Sequence, residues 1–124
     1  MLFRSGRLWD KPLVRHALAD LWISLEVTKM LSYRVVSMQS RGLVPNYEAS
    51  IIKVFSTDLI QKQARIGLGI MGMYGGLWGD GPWAKLRGRF AKSYVATVGT
   101  AIAGGTTEIQ RNIIAQRGLG LPRQ

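Results

Sequence analysis

A chain of 124 residues is long enough for one compact domain or one piece of a larger protein, and too short for two full domains. With 47% hydrophobic and 19% charged residues it should pack a core, and having no cysteine and one histidine, His16, excludes disulfide scaffolds, thiolate-held metals, thiol catalysis and imidazole-rich metal sites. Seventeen Lys+Arg against seven Asp+Glu give a net charge of +10, which attracts phosphates of some kind, on nucleic acid, nucleotide cofactor, coenzyme A or anionic lipid, without choosing among them.

The opening Met1-Leu2-Phe3-Arg4-Ser5-Gly6-Arg7 has no apolar stretch after its basic residues, so no secretory leader is expected there. The first periodic segment follows Pro12, a favoured first-turn residue. Leu18, Leu21, Trp22, Leu25, Thr28, Val35 and Met38 recur at helical steps and predict a helix from about Pro12 to Ser40, stopped by Gly42. After Pro45-Asn46 a second helix is expected, with Ile52, Phe55, Leu59, Ile66 and Ile70 on one stripe and Lys53, Asp58, Gln61, Lys62 and Arg65 largely off it. It should fade between Gly72 and Gly81, giving way to a loop with Trp78 and Trp83. The uncharged run Ile66 to Gly79 falls short of the roughly 20 apolar residues of a membrane span. The expected location is cytoplasmic.

A third helix is expected to start near Pro82 and end at Gly104-Gly105, placing Leu86, Phe90, Tyr94 and Val98 together beside a basic row of Lys85, Arg89 and Lys92. Lys85, Arg87, Arg89 and Lys92 read best as a solvated face, with a subunit interface or nucleotide phosphate contact as the alternatives. Thr107 and Gln110 have the spacing of a capping box, and Ile109, Ile113 and Ile114 supply the apolar face of a short last helix closed by Gly118-Leu119-Gly120-Leu121-Pro122. No segment alternates as a strand does. Residues 1–124 therefore read as one all-α unit, an antiparallel helical bundle with short connections. Trp22 and Phe55 are expected in the core, and His16 in a surface or satisfied polar role because no acid partner is evident.

Two nucleotide-binding letter strings fail on context. Gly67, Gly69 and Gly72 spell G-x-G-x-x-G at the end of a helix, whereas the dinucleotide fingerprint follows a strand and opens a helix. Gly99 to Thr106 comes within one letter of a P-loop, but Gly105 stands where the phosphate-binding lysine belongs. What remains at Gly104-Gly105-Thr106-Thr107-Glu108 is a flexible turn leading into a helix start, which reads as a plain cap or as a site with exposed N–H groups.

The run Ile102-Ala103-Gly104-Gly105-Thr106-Thr107-Glu108-Ile109-Gln110-Arg111-Asn112-Ile113-Ile114-Ala115-Gln116-Arg117-Gly118-Leu119-Gly120-Leu121-Pro122-Arg123 resembles the carboxy-terminal signature of the acyl-coenzyme A dehydrogenases. Leu18-Ala19-Asp20-Leu21, Glu48-Ala49-Ser50-Ile51-Ile52-Lys53 and Gly81-Pro82-Trp83-Ala84 resemble the same family's last helical domain, in order, so the likeness covers most of the chain.

The resemblance implies a flavoprotein of lipid β-oxidation chemistry: a base takes the α-proton of an acyl-CoA thioester, the β-hydride passes to FAD, and a 2-enoyl-CoA is left. It implies part of a four-helix bundle whose first helix, and the domains upstream of it, are not in this chain. By position, Gly105 and Thr106 line the flavin and thioester site, Thr107 and Glu108 stand at the helix start toward the FAD of a neighbouring subunit, and Gly72 keeps one glycine of a second cofactor turn. The family's usual catalytic glutamate position holds Gly104, so no catalytic residue is assigned, nor any metal ligand. The family's R-x-x-F-G segment would fall on Met1 to Ser5, whose letters do not match it. An acyl-CoA substrate, an electron-transfer flavoprotein as acceptor and a homo- or hetero-oligomer, dimer or tetramer, follow from the same likeness. Two alternatives are a non-catalytic helical partner subunit of a heteromeric dehydrogenase and, on charge alone, a small basic nucleic-acid-binding protein.

Overall fold

The computed structural model describes residues 7–123, so the Met1–Ser5 segment lies outside the described residues. Four α-helices carry the fold: α1 Pro12–Ser40, α2 Tyr47–Met71, α3 Arg89–Ile102 and α4 Thr107–Ile113, and there is no strand among the described residues. The helix α2 is the shared element, packing against α1, α3 and α4.

Local chemistry fixes the first connection. Pro12 opens α1 at its first position, where a missing N–H costs nothing. At the other end Gly42 adopts φ +74°, the Gly42 N–H reaches the Gln39 carbonyl and the Leu43 N–H reaches that of Met38. These paired bonds satisfy last-turn carbonyls and turn the chain, with Pro45 beyond to prevent continuation. Gly72, at φ +59°, ends α2, and a short 3-10 turn, Gly72–Gly76, leads away.

The third helix starts later than its periodicity suggests. Lys85–Gly88 form a separate 3-10 turn, in which Leu86 and Arg87 have positive φ of 53° and 54° and Gly88 follows at 67°. Three left-handed residues in succession break the register, so Lys85 does not continue the row of Arg89 and Lys92. Leu86, Tyr94 and Val98 are exposed as well, and only Phe90 of the expected stripe turns inward. The buried residues of α3 are instead Ala91 and Thr97.

Small residues also dominate the buried face of α2. Ser50, Thr57 and Ala64 recur at steps of seven, with Gly67 beyond, and the larger Ile52, Phe55, Leu59, Ile66 and Ile70 are half-buried beside them. Small side chains let α2 and α3 approach closely, at the cost of apolar area. No large side chain is fully buried among the described residues, and α1 buries none of its residues. Trp22, expected in the core, is 64% exposed, and Ile23, Met30 and Val36 beside it are exposed too. Phe55 is half-buried. His16 is exposed on the first turns of α1, as expected.

Candidate functional site

The turn between α3 and α4 brings the singled-out residues Gly104 to Glu108 together. Gly104 and Gly105 have φ of +73° and +98°, a conformation L side chains rarely adopt, so the two glycines are required by the backbone path. A Cβ on Gly105 would also come within 2.7 Å of Gln110 Nε2. The turn is closed by the Gly105 N–H donating to the Ile102 carbonyl at 3.2 Å.

The helix start differs by one residue from the expected capping box. Thr106, with extended backbone, is the N-cap, and its hydroxyl accepts from the Ile109 N–H at 3.5 Å. Thr107 is already helical, so it cannot pair with Gln110 as a box. Gln110 does something else: buried, it donates from Nε2 to the Gly104 carbonyl at 2.8 Å, tying the turn to α4.

Glu108 stands in the first turn of α4 with its carboxyl held below the ordinary range, first by its own backbone N–H and then by the Thr106 hydroxyl, with Arg111 adding a smaller attraction. The carboxylate therefore already meets the positive end of the helix.

A second tether comes from α2. Lys53, placed off the apolar stripe by its charge, turns toward α3, where its ammonium donates to the Thr100 carbonyl at 2.8 Å and to Thr57 Oγ1 at 3.1 Å. Its Cε would lie 3.6 Å from a Cβ on Gly104. Sequence reasoning missed this role; the available signals were the i, i+4 spacing to Thr57 and the position of Lys53 inside the Glu48–Lys53 run.

That run also builds the start of α2. Buried Glu48 accepts from the Asn46 N–H at 3.2 Å. Its carboxyl is held low first by its own backbone N–H, against an opposing push from burial, and further by Asn46, Tyr47 and the charge of Arg34. The chain's end returns here: Ile114–Gly118 widen into a π-helical turn, Arg117 donates to Asn46 Oδ1 at 2.9 Å, and Gly118 lies against the Tyr47 ring.

Gly72 is not part of this cluster. It lies 19 positions beyond Lys53 along α2, about 28 Å at the helical rise of 1.5 Å per residue. A cofactor touching Gly105 and a cofactor touching Gly72 in one chain therefore approach opposite ends of the same helix. An apolar groove of about 300 Å³ between α1 and α2, lined by Leu18, Leu21, Trp22, Leu25, Leu59 and Gln63, is a third, separate feature. Among the described residues there is no group of three or more His, Cys, Asp or Glu placed to hold a metal ion, and no helix long and apolar enough to cross a membrane.

The chain matches a known family. The family model described as "Acyl-CoA dehydrogenase, C-terminal domain" matches residues 3–119. The acyl-CoA dehydrogenase FadE26 of Mycobacterium tuberculosis is 36% identical over 121 residues, covering 94% of this chain and 30% of the relative. IpdE1, an acyl-CoA dehydrogenase of the same organism, is 30% identical over 99% of this chain and 30% of its own length. Among solved structures, the ChsE4-ChsE5 complex from Mycobacterium tuberculosis superposes with a TM-score of 0.89 at 34% identity, covering 99% of this chain and 32% of that one. The Tcur3481-Tcur3483 steroid ACAD gives 0.88 at 26% identity, over 94% and 30%. The chain spans about a third of the length of these relatives, and the family model over residues 3–119 shows that it belongs to the acyl-CoA dehydrogenase family, as its C-terminal helical domain.

Proposed function

We propose that this chain forms the C-terminal helical part of a flavin-dependent acyl-CoA dehydrogenase, lining with Gly104–Glu108 the place where an acyl-CoA thioester meets FAD. The carrying observation is the doubly glycine turn at φ +73° and +98°, tethered from both sides and preceding a capped helix start. Its residues fit one edge of such a group: Gly104 and Gly105 carry no side chain, the Thr106 and Thr107 hydroxyls stand beside them, and a flat ring or a thioester would approach on the faces turned away from Lys53 and Gln110, which fill the two Cβ directions. Bound FAD supplies the hydride acceptor for the β-carbon of the acyl chain.

The residues present in this chain hold and orient. Gly104 and Gly105 keep the approach open, and Thr106 and Gln110 keep the turn in one conformation. Glu108, engaged by its own N–H and by Thr106, has its carboxyl lowered rather than raised, which suits it poorly to be a base working near neutral pH. With Gly104 at the family's usual glutamate position, the base that removes the α-proton comes from polypeptide beyond these residues.

An assembly of two kinds of polypeptide accounts for this division of labour. The ChsE4-ChsE5 structure is a complex of two differently named chains, and the Tcur3481-Tcur3483 structure is a steroid ACAD, so a steroid-bearing acyl-CoA is the first substrate class to test. The exposed Trp22, Ile23, Met30 and Val36 of α1 are in keeping with a surface that further polypeptide covers. Reduced flavin would pass its electrons to an electron-transfer flavoprotein. The net charge is the sole feature in favour of nucleic-acid binding.

The test is to purify a tagged chain with everything that assembles with it, measure flavin, and add straight-chain and steroid-bearing acyl-CoAs without oxygen. Stoichiometric flavin that bleaches with one of them supports the reading. A folded assembly without flavin, or one whose flavin no acyl-CoA reduces, overturns it.

A further inference from the structure

We infer that Lys53 is a positioning residue for the Gly104–Thr106 turn, acting from α2 through the last turn of α3. This rests on the proposed function for the identity of what the turn receives, and on geometry alone for the tether itself.

The last carbonyls of a helix have no intrahelical donor, and the C-terminal end of the helix carries partial negative charge. In α3 the Gly99 carbonyl takes the Ala103 N–H and the Ile102 carbonyl takes the Gly105 N–H. The Thr100 carbonyl takes the Lys53 ammonium at 2.8 Å. A cation there satisfies an orphan acceptor and opposes the helix-end charge at once. The same ammonium is held by Thr57 Oγ1 at 3.1 Å, one turn along α2, and Thr57 is buried at 3% exposure. The donor is thus aimed from a fixed base.

Four residues further on, Gln110 of α4 holds the Gly104 carbonyl at 2.8 Å. Lys53 and Gln110 therefore bracket Ala101–Ala103 with bonds to two different helices. Two left-handed glycines have many accessible conformations, so without both anchors the turn can rotate while α3 and α4 stay formed. The Lys53 stem also lines the turn, its Cε 3.6 Å from where a Cβ on Gly104 would stand.

Lys53→Met keeps the stem and removes the donor, and Lys53→Arg keeps a donor and the charge. Hydrogen exchange is measured on each chain, purified with whatever assembles with it. The expected result is exchange about tenfold faster in Lys53→Met for the segment 101–110, with α1 and the middle of α2 unchanged and with at least partial recovery in Lys53→Arg. Where flavin is present, Lys53→Met should also raise KM for the acyl-CoA and alter the visible flavin band at unchanged flavin content. Exchange that is unchanged at 101–110, or that accelerates equally throughout the chain, overturns the inference, as does an unaltered KM and flavin band. Absence of flavin from the unsubstituted assembly speaks against the proposed function and leaves the exchange result decisive for the tether.

Discussion

Gly67 of α2 lies directly under the ring of Phe90 of α3: a Cβ built on Gly67 would overlap the ring carbons Cδ1, Cε1 and Cγ. This contact, with Ala64 and Ala91 buried on the two helices, sets how closely α2 and α3 approach. The glycines that spell a nucleotide fingerprint thus include one whose use is helix packing.

Gly67→Ala should therefore destabilise the fold. A rigid aromatic ring must move, and overpacking of this kind costs about 1–3 kcal/mol, more than the roughly 1 kcal/mol that alanine gains over glycine within a helix. Gly69→Ala, two residues on in the same helix with nothing within 4 Å of its added Cβ, should instead gain up to about 1 kcal/mol. Denaturant midpoints of the two variants against the unsubstituted chain check this; equal shifts would show that Phe90 moves aside freely.

Alanine at the two turn glycines should separate conformational cost from contact cost. At Gly104 the added Cβ meets only Lys53 Cε at 3.6 Å, so Gly104→Ala costs the left-handed backbone alone, about 1–2 kcal/mol. At Gly105 it also pushes the Gln110 amide, 2.7 Å away, off the Gly104 carbonyl, so Gly105→Ala should cost about 1 kcal/mol more. In a Gln110→Leu background that difference should vanish, and thermal unfolding of the four chains measures it.

Installing a carboxylate at position 104 should not restore a base. The built Cβ faces the Lys53 stem, so Gly104→Glu places an acid within reach of an ammonium, which favours the ionised form and keeps the group paired. Dehydrogenation by the purified assembly should not rise in Gly104→Glu, and the variant should lose about the same stability as Gly104→Ala. A gain in turnover would show that the turn reorients to present a side chain to substrate.

Helix ends marked by proline and glycine were legible from the sequence, because Pro12 and Gly42 act through their own backbones. The packing faces were less so. Thr57, Ala64, Ala91 and Thr97 are buried, although a search for large apolar residues passes over them, while Trp22 and Val98 fit a helical stripe and face outward. Position along the chain does not say which side of a helix a neighbour will occupy. The start of α3 was misread because Leu86 and Arg87 adopt a left-handed conformation that their side chains disfavour and no local signal announces. At the turn, Gly104 to Glu108 were visible as a group, but adjacent threonines made Thr106 and Thr107 interchangeable on spacing, and the bonds from Lys53 and Gln110 depend on tertiary placement.

The acid limb of stability should depend on Glu108 and Glu48, the two carboxyls held below their ordinary value of 4.5 in the folded chain. A group whose folded pKa is depressed stabilises the fold above its unfolded pKa, and that contribution is lost as pH falls through the folded value. Stability should thus be flat at neutral pH and decline once the pH drops below about 4.5. Glu108→Gln should shallow that decline, because the variant has no proton to take up there. Thr106→Ala should do so in part, since the Thr106 hydroxyl is the second cause of the Glu108 shift, and should separately cost about 1 kcal/mol at neutral pH through loss of the helix cap. Denaturant midpoints between about pH 3 and pH 7 give both effects. A Glu108→Gln profile that overlays the unsubstituted one would mean that Glu108 makes the same contacts in the unfolded chain, and that the helix start rests on Thr106 alone.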